Sequence, residues 1–382
     1  MLTMYTAYTL EADDVEYAVS EILEQLQLEK KLKKYAAGLI FCHTDFTDSG
    51  VAQAVAEKMP FDVIGTTFVA EMVPEMDDTL MLVLHLFTSD DVEIDALKID
   101  QMEKGAAAQA FNEAAAKHAL PASLMLAYMP LLMPRSVESL LEELDVASGN
   151  VPIYGSLAFD FSSDYSLWTM LFNGESSREF ITALVFFGDM QPQFYSSTLS
   201  NKYVQTHKSI ITKSEGNLLM EIDGKPYIEY LVNNGFDRNV TLAEFGSSPM
   251  LIDFGDGTPP VPRGLIRITP EGYAILAGEV PEGAQISLGA LDYTYVLRVT
   301  EEVMQAAVKS DNRGPMIVHP CATHYFIMGA GVQTQKDVIL QNVFTDHPYS
   351  VGYSGGEICP VYKPDGTTKN RFFNYTIVLC VL

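Results

Sequence analysis

The chain has 382 residues, 48% hydrophobic and 19% charged, enough to bury a sizeable core and to form two or three domains. Its 24 basic and 50 acidic side chains leave a net charge of −26; a surface of that sign repels phosphate backbones and anionic lipid, so neither nucleic acid nor membrane is expected as a direct partner. The longest apolar runs, 124–133 and 79–87, reach about half of the ~20 residues that span a bilayer. The N-terminus has no basic-then-apolar order ahead of a small-residue cleavage site. Cys42, Cys321, Cys359 and Cys380 form no C-x-x-C pair and no disulfide-framework spacing. The expectation is a cytoplasmic protein with four free thiols.

Taken in chain order, the hydrophobic pattern predicts one sequence of elements three times over. In the first pass, the strand "TMYTAYTL" precedes helical spacing over 12–35 and a buried strand "AAGLIFCH". A helix "SGVAQAVAEKM" follows, then "FDVIGTTFVAEM" (61–72) and the strand "TLMLVLHLF". The second pass runs from "VEIDALKI" through a helix at 103–118, the strand "SLMLAYMP", the helix "SVESLLEELDVA" and "VPIYGSLAFDF" (151–161) to "YSLWTMLF". The third starts at "AQISLGALDYTYVL", passes a helix at 299–309, the strand "PMIVHP" and a weakly patterned segment at 333–343, and reaches "YSVGYSGGEICP" before closing with "FFNYTIVLCVL".

Between the second and third passes, residues 177–284 carry the strands "ITALVFFG" and "SIITKS" and a hairpin across Pro270–Gly272. A short helix is predicted from Pro226 to Gly235, since proline fits a first turn and glycine a stop. The run "DFGDGTPPVPRG" (253–264) reads as a surface loop. The fold class expected is mixed α/β, in two lobes of sheets covered by helices, with domains at 1–212 and 213–382.

Gly65, Gly155 and Gly352 follow comparable apolar approaches, and an acid comes shortly after each: Glu71, Asp160 and Glu357. The glycines are expected at equivalent sharp turns, where they permit positive φ or close backbone approach. They could instead supply backbone N–H concavities for an anion. The acids could accept from a ligand ammonium group, or could be solvated side chains and local caps. No G-x-G-x-x-G or Walker-type motif occurs at these positions, which disfavours nucleotide binding.

"HPCATH" sets His319, Cys321 and His324 at zinc-compatible spacing but is short of a fourth donor and lacks deaminase companions, so no metal or cofactor is expected. Cys321 as a nucleophile would need an imidazole partner or a positive setting. The bland alternative is a small buried residue at a strand end, with histidines bonded in a loop. Asp253 opens a "DFG" with no kinase companions, and Asn374–Thr376 matches a glycosylation sequon that a cytoplasmic protein would not use.

The order of "FDVIGTTFVAEM", "VPIYGSLAFDF", the junction at 209–231, "EGYAILAGEVPEGAQISLG", "HPYSVGYSGGEICP" and "FFNYTIVLCVL" resembles the FIST (F-box and intracellular signal transduction) family over nearly the whole chain, through both its N- and C-terminal domains. Ala70 stands where the family more often has glycine, and His324 lies near the position of a usual arginine. The resemblance implies a stand-alone cytoplasmic sensory module that binds a small ligand such as an amino acid and acts through a separate signalling output protein. The ligand is expected at Glu357, Gly355, Gly356, Tyr353, Cys321, His324, Tyr325, Asp160 and Gly155, with Glu357 accepting from a ligand amine and Tyr325 or Tyr353 as walls. The alternatives are a thiol or metal enzyme centred on Cys321 and a protein-recruiting scaffold.

Overall fold

A computed structural model describes residues 2–100, 103–131, 133, 135–162, 165–197, 204–205, 207–239, 246–344 and 346–382. The expected 177–284 region thus includes segments, 198–203 and 240–245, outside the described residues. Among those described, no helix is long and apolar enough to cross a membrane.

The first unit comprises β1 (Thr3–Thr9), α1 (Val15–Leu26), β2 (Tyr35–Cys42), α2 (Val51–Glu57), β3 (Val63–Thr67), a hairpin of β4 (Glu71–Val73) and β5 (Met76–Asp78), and β6 (Leu82–Ser89). The second comprises β7 (Glu93–Asp100), α3 (Ala106–Ala115), β8 (Ala122–Met129), α4 (Val137–Ser148), β9 (Ile153–Leu157), a hairpin of β10 (Met170–Phe172) and β11 (Glu175–Ser177), and β12 (Phe180–Phe187). The third comprises β13 (Gln193–Ser196), α5 (Tyr293–Val308), β14 (Met316–Pro320), α6 (Thr323–Met328), α7 (Val332–Leu340), β15 (Tyr349–Gly352), a hairpin of β16 (Glu357–Tyr362) and β17 (Thr368–Phe373), and β18 (Ile377–Val381).

Each unit builds a sheet in which its last strand lies between its first and second, with the third beyond: β1-β6-β2-β3, β7-β12-β8-β9 and β13-β18-β14-β15. No unit's own hairpin extends its own sheet. Hairpin β4–β5 extends the third sheet at β15, β10–β11 extends the first at β3, and β16–β17 extends the second at β9. The exchange is cyclic, and two of the three sheets draw strands from both sides of residue 212.

Three sequence expectations are corrected. "YSLWTMLF" supplies the exchanged strand β10, and the closing strand of the second unit is β12, within "ITALVFFG". The third unit begins at β13, whereas Gln285–Leu288 belongs to a separate inserted sheet. The weakly patterned 333–343 segment is largely the helix α7.

Side-chain alternation explains the layering. In β2, Leu39 and Phe41 face a central core while Ile40 and Cys42 face helices α1 and α2. In β8, Leu126 and Tyr128 point inward and Met125 and Ala127 outward against α3 and α4. In β14, Ile317 points inward and Val318 outward toward α5. Three sheets thus share one core and carry their helices outside.

Polar groups that reach this core bond to one another, as burial requires. His85 meets Thr6 Oγ1 at 3.0 Å and Ser350 Oγ at 2.8 Å. His319 meets Tyr128 Oη at 3.4 Å and the Gly352 carbonyl at 3.3 Å. The Tyr154 hydroxyl donates to the Ile317 carbonyl at 2.7 Å. Burial pushes both histidines down to about 3, so both are neutral.

The glycines sit inside strands, where the next strand presses close, and not at turns. A Cβ on Gly65 would stand 2.8 Å from the Ile40 carbonyl oxygen, and one on Gly155 1.8 Å from that of Ala127. Register also shifts the third member of the set. Gly65 pairs with Ile40 and Leu171, Gly155 with Ala127 and Ile358, and the matching residue of the third sheet is Val351, paired with Val318 and Met72. One residue on, Glu71 lies opposite Gly352, Glu357 opposite Ser156 and Met170 opposite Thr66. The acid equivalent to Glu71 and Glu357 is therefore replaced by Met170, and Asp160 has a different role.

The inserted sheet lies between β13 and α5, with the strands Ser209–Glu215, Leu218–Ile222, Met250–Asp253, Val261–Arg263, Leu265–Ile268, Ala274–Leu276 and Gln285–Leu288 around the helix Tyr227–Asn233. The Pro270–Gly272 hairpin and the short helix form as the sequence predicts. The 253–264 stretch does not stay on the surface. Arg263 is fully buried, donating to the Phe372 carbonyl of β17 at 2.9 Å and pairing with the Glu138 carboxylate of α4. Gly278 makes room for it, since a Cβ there would lie 2.5 Å from Arg263 Nε. Arg263 thereby ties the insert to the second and third units.

Removing one partner of such a buried pair strands the other charge. Arg263→Met is expected to cost about 3–5 kcal/mol in chemical denaturation, and adding Glu138→Leu should recover most of it. An additive double-mutant cycle would show that the pair is not coupled. Gly155→Ala should destabilise by about 3 kcal/mol or more, and by more than Gly65→Ala, because its added methyl overlaps backbone that cannot rotate away. Equal midpoints for the two variants would contradict the close-approach account.

Candidate functional site

The residues singled out in the sequence collect where β14 ends and β15 passes into β16. Backbone bonds knit this place together: Cys321 N–H to the Thr376 carbonyl at 2.8 Å, Ala322 N–H to Ser354 at 2.8 Å and Gly355 N–H to Leu157 at 3.0 Å. Gly155, paired with Ile358, stands beside Glu357 in the same ladder.

Glu357 is fully buried. Its carboxyl accepts from Thr376 Oγ1 at 2.7 Å and Ser354 Oγ at 3.3 Å, with the Cys321 thiol as a further partner. Burial raises it to about 8, and these hydrogen bonds hold it from rising further. Burial also pushes the Cys321 thiol up, and the charge of Glu357 adds to this. The pair therefore favours a protonated thiol, the reverse of what activates a nucleophile.

His324 is also buried, in the first turn of α6. The Gln335 amide donates to its Nδ1 at 2.9 Å and its Nε2 faces the Tyr375 carbonyl at 3.3 Å, which sets the neutral tautomer with the proton on Nε2. Gln335 Oε1 accepts from the Tyr353 hydroxyl at 3.0 Å. Burial lowers His324 to about 4. His319 turns away into the central core, so "HPCATH" does not converge on one point. Among the described residues, no group of three or more His, Cys, Asp or Glu side chains is arranged to hold a metal ion.

Above this floor lies an aromatic rim. The Tyr325 ring stands edge-on to Tyr353 at 4.6 Å, and Phe161 meets Tyr325 at 5.6 Å. Phe159 connects Phe161 to Tyr165, and both of the latter are exposed, at 45% and 37%. Asp160 fixes the start of this rim loop. Buried itself, it accepts from the N–H groups of Ser162 at 2.6 Å, Leu167 at 3.1 Å and Trp168 at 2.9 Å. It is a backbone cap.

What comes close to the Gly355 and Gly356 backbone is protein. A Cβ on Gly355 would meet Leu131 at 2.5 Å and the Ala158 carbonyl at 2.6 Å; one on Gly356 would meet the Phe372 ring at 2.6 Å. Two surface grooves, of about 370 Å³ beside Glu302 and Tyr362 and about 520 Å³ beside Phe236 and Asp292, share no residue with this cluster.

Sequence reasoning missed Thr376, Ser354 and Gln335. Thr376 was visible only as part of a sequon-like triplet, and Gln335 lies in the segment whose periodicity was weak. Buried side chains acting as acceptors and donors carry no local pattern, since their partners come from other units.

Comparison with curated proteins finds no match to this chain. Residues 36–225 match the FIST N domain, a span that runs from β2 through the second unit and into the inserted sheet. The chain is a member of the FIST family, whose domains serve as sensory modules in signal transduction.

Proposed function

We propose that the protein is a sensor for a small, amino-acid-like molecule, that the ligand lodges at the aromatic rim formed by Phe161 and Tyr325 above the fully buried Tyr353, and that a separate output protein reads the result. The observation that carries this reading is the junction of that half-open rim with a fully buried polar floor of Glu357, Cys321, His324 and Gln335, drawn from segments far apart in the chain. Rigid aromatic walls above fixed hydrogen-bonding groups suit recognition of a small organic molecule. A thiol held protonated by burial favours binding over turnover at this place.

A matching ligand should raise the melting temperature, because binding to the native state alone adds RT ln(1 + [L]/Kd) to its stability. Screening the common L-α-amino acids and their amine and carboxylate analogues by thermal shift is expected to give a hit that Tyr325→Ala removes. A panel with no hit would overturn the sensor reading, and a hit that survives Tyr325→Ala would remove the rim from it.

Glu357 has a separate signature. In the folded protein it keeps its proton up to about pH 8, whereas the ordinary value is 4.5. Between those values the native state holds a proton that the unfolded chain releases, so this group's contribution to stability falls as pH rises through the window and levels off above it. The slope is at most about 1.4 kcal/mol per pH unit. Glu357→Gln carries no such proton. Its melting temperature should gain on wild type from about pH 5 to about pH 8; a difference that stays flat or reverses would place the proton elsewhere.

A further inference from the structure

Each unit opens with a strand that forms one edge of its sheet: β1, β7 and β13. An unpaired edge invites another chain, and two of the three are defended against it. On β1 the Gln25 side chain of α1 occupies the edge, accepting from the Tyr8 N–H at 3.0 Å and donating to the Tyr8 carbonyl at 2.8 Å. β7 carries Glu93, Asp95, Lys98 and Asp100 within eight residues, and Lys117 and His118 pair with its acids. β13, Gln193–Ser196, has neither defence. It holds no charged residue, and among the described residues its outer backbone groups have no partner.

The ladder with β18 fixes which groups these are. Ser197 N–H donates to the Ile377 carbonyl at 3.1 Å, so Gln193, Tyr195 and Ser197 turn their backbone toward β18, whereas Phe194 and Ser196 turn theirs outward. They open into the groove of about 370 Å³. One wall of it is α5, through Glu302, Val303 and Ala306; the other is Pro259 of the insert with Val361 and Tyr362 at the end of β16. A strand laid on β13 would send successive side chains to these two walls in turn. Both are largely apolar. Glu302 is the one charged side chain among the described lining residues, and its i,i+4 pairing with Arg298 is a surface contact of little worth.

We propose that this groove docks an extended segment of a partner protein, which adds to β13 as a further strand, with apolar residues at alternate positions and a lysine or arginine placed to meet Glu302. Main-chain bonds to Phe194 and Ser196 supply affinity and the two walls supply specificity. A net charge of −26 favours a basic segment over an acidic one. It also opposes a second copy of this chain as the occupant, and β13 is recessed between α5 and β16, so that two such edges cannot meet past their own walls. The groove shares no residue with the Tyr325 rim, so the proposal stands apart from the sensor reading.

The test selects binders to the full chain from a phage-displayed random heptapeptide library and measures the best of them, as synthetic peptides, by calorimetry. The selected sequences are expected to alternate apolar residues and to carry Lys or Arg. Methylating single backbone nitrogens of the peptide should weaken binding about tenfold or more at every second position and by less than about twofold at those between. Ser196→Pro removes an outward N–H and no bond of the native ladder. Ala306→Trp fills the groove from an exposed helix position, and guards against a local disturbance by the proline. Each should weaken binding about tenfold or more at an unchanged melting temperature. Glu302→Lys should reverse the preference for Lys over Glu in the peptide. The proposal is overturned if no selected peptide binds more tightly than about 1 mM, if the methylation scan shows no period of two, or if Ser196→Pro and Ala306→Trp bind as well as wild type. A dimer in sedimentation that Ser196→Pro dissolves would also overturn it, by making a second copy the occupant.

Discussion

Everything in this molecule depends on a cyclic exchange of hairpins. Each unit makes four strands of a sheet and then sends its hairpin to another unit's open edge. The edge strands β3, β9 and β15 would otherwise present unpaired N–H and C=O groups along buried, apolar segments. Because each edge is satisfied by a different unit, the three sheets are fixed relative to one another by backbone hydrogen bonds as well as by the shared core.

That arrangement explains where polar chemistry gathers. The residue after the close-approach position faces the incoming hairpin, and in the three sheets it is Thr66, Ser156 and Gly352. The hairpin places Met170, Glu357 and Glu71 opposite them. Three equivalent positions thus carry a thioether packed in the core, an acid with hydroxyl and thiol partners, and an acid with no hydrogen-bond partner among the described residues. In the third unit the helices α6 and α7, which stand where the first unit has the short helix Thr44–Asp48 and α2, carry His324, Tyr325, Gln335 and Lys336. The same backbone plan therefore yields one purely structural seam and two with ionisable groups.

Much of the plan was legible in the sequence, and the failures have identifiable causes. Continuous apolar runs in "AAGLIFCH", "SLMLAYMP" and "PMIVHP" mark strands buried on both faces, because the core and the helix layer both require apolar partners there. The element order and the glycine in β3 and β9 were also visible, since close approach of parallel strands leaves room for nothing larger. The hairpin exchange was not visible: "YSLWTMLF" reads as a strand whether it pairs at home or abroad. Four-residue β13 gives too short a pattern to be set above "AQISLGALDYTYVL". Asp160 was grouped with Glu357 by spacing alone, whereas strand register makes Glu71 the equivalent of Glu357. Arg263 looked like a loop residue because its partners, Glu138 and Phe372, are more than a hundred positions away.

The cyclic exchange also has a consequence for synthesis. As the chain leaves the ribosome, the first sheet can be completed once residues 170–177 have emerged, but β9 waits for strands at 357–373, and the hairpin at 71–78 waits for β15 at 349–352. For most of translation the nascent chain therefore carries one open sheet edge and one unclaimed hairpin, complementary in kind to those of any neighbouring nascent copy. Segments of that sort fold late and pair wrongly when crowded. Intermolecular hairpin trading between polysome neighbours is the natural misassembly of this architecture, and the strong negative charge, by keeping such neighbours apart, is as much a safeguard of its birth as a property of its mature surface.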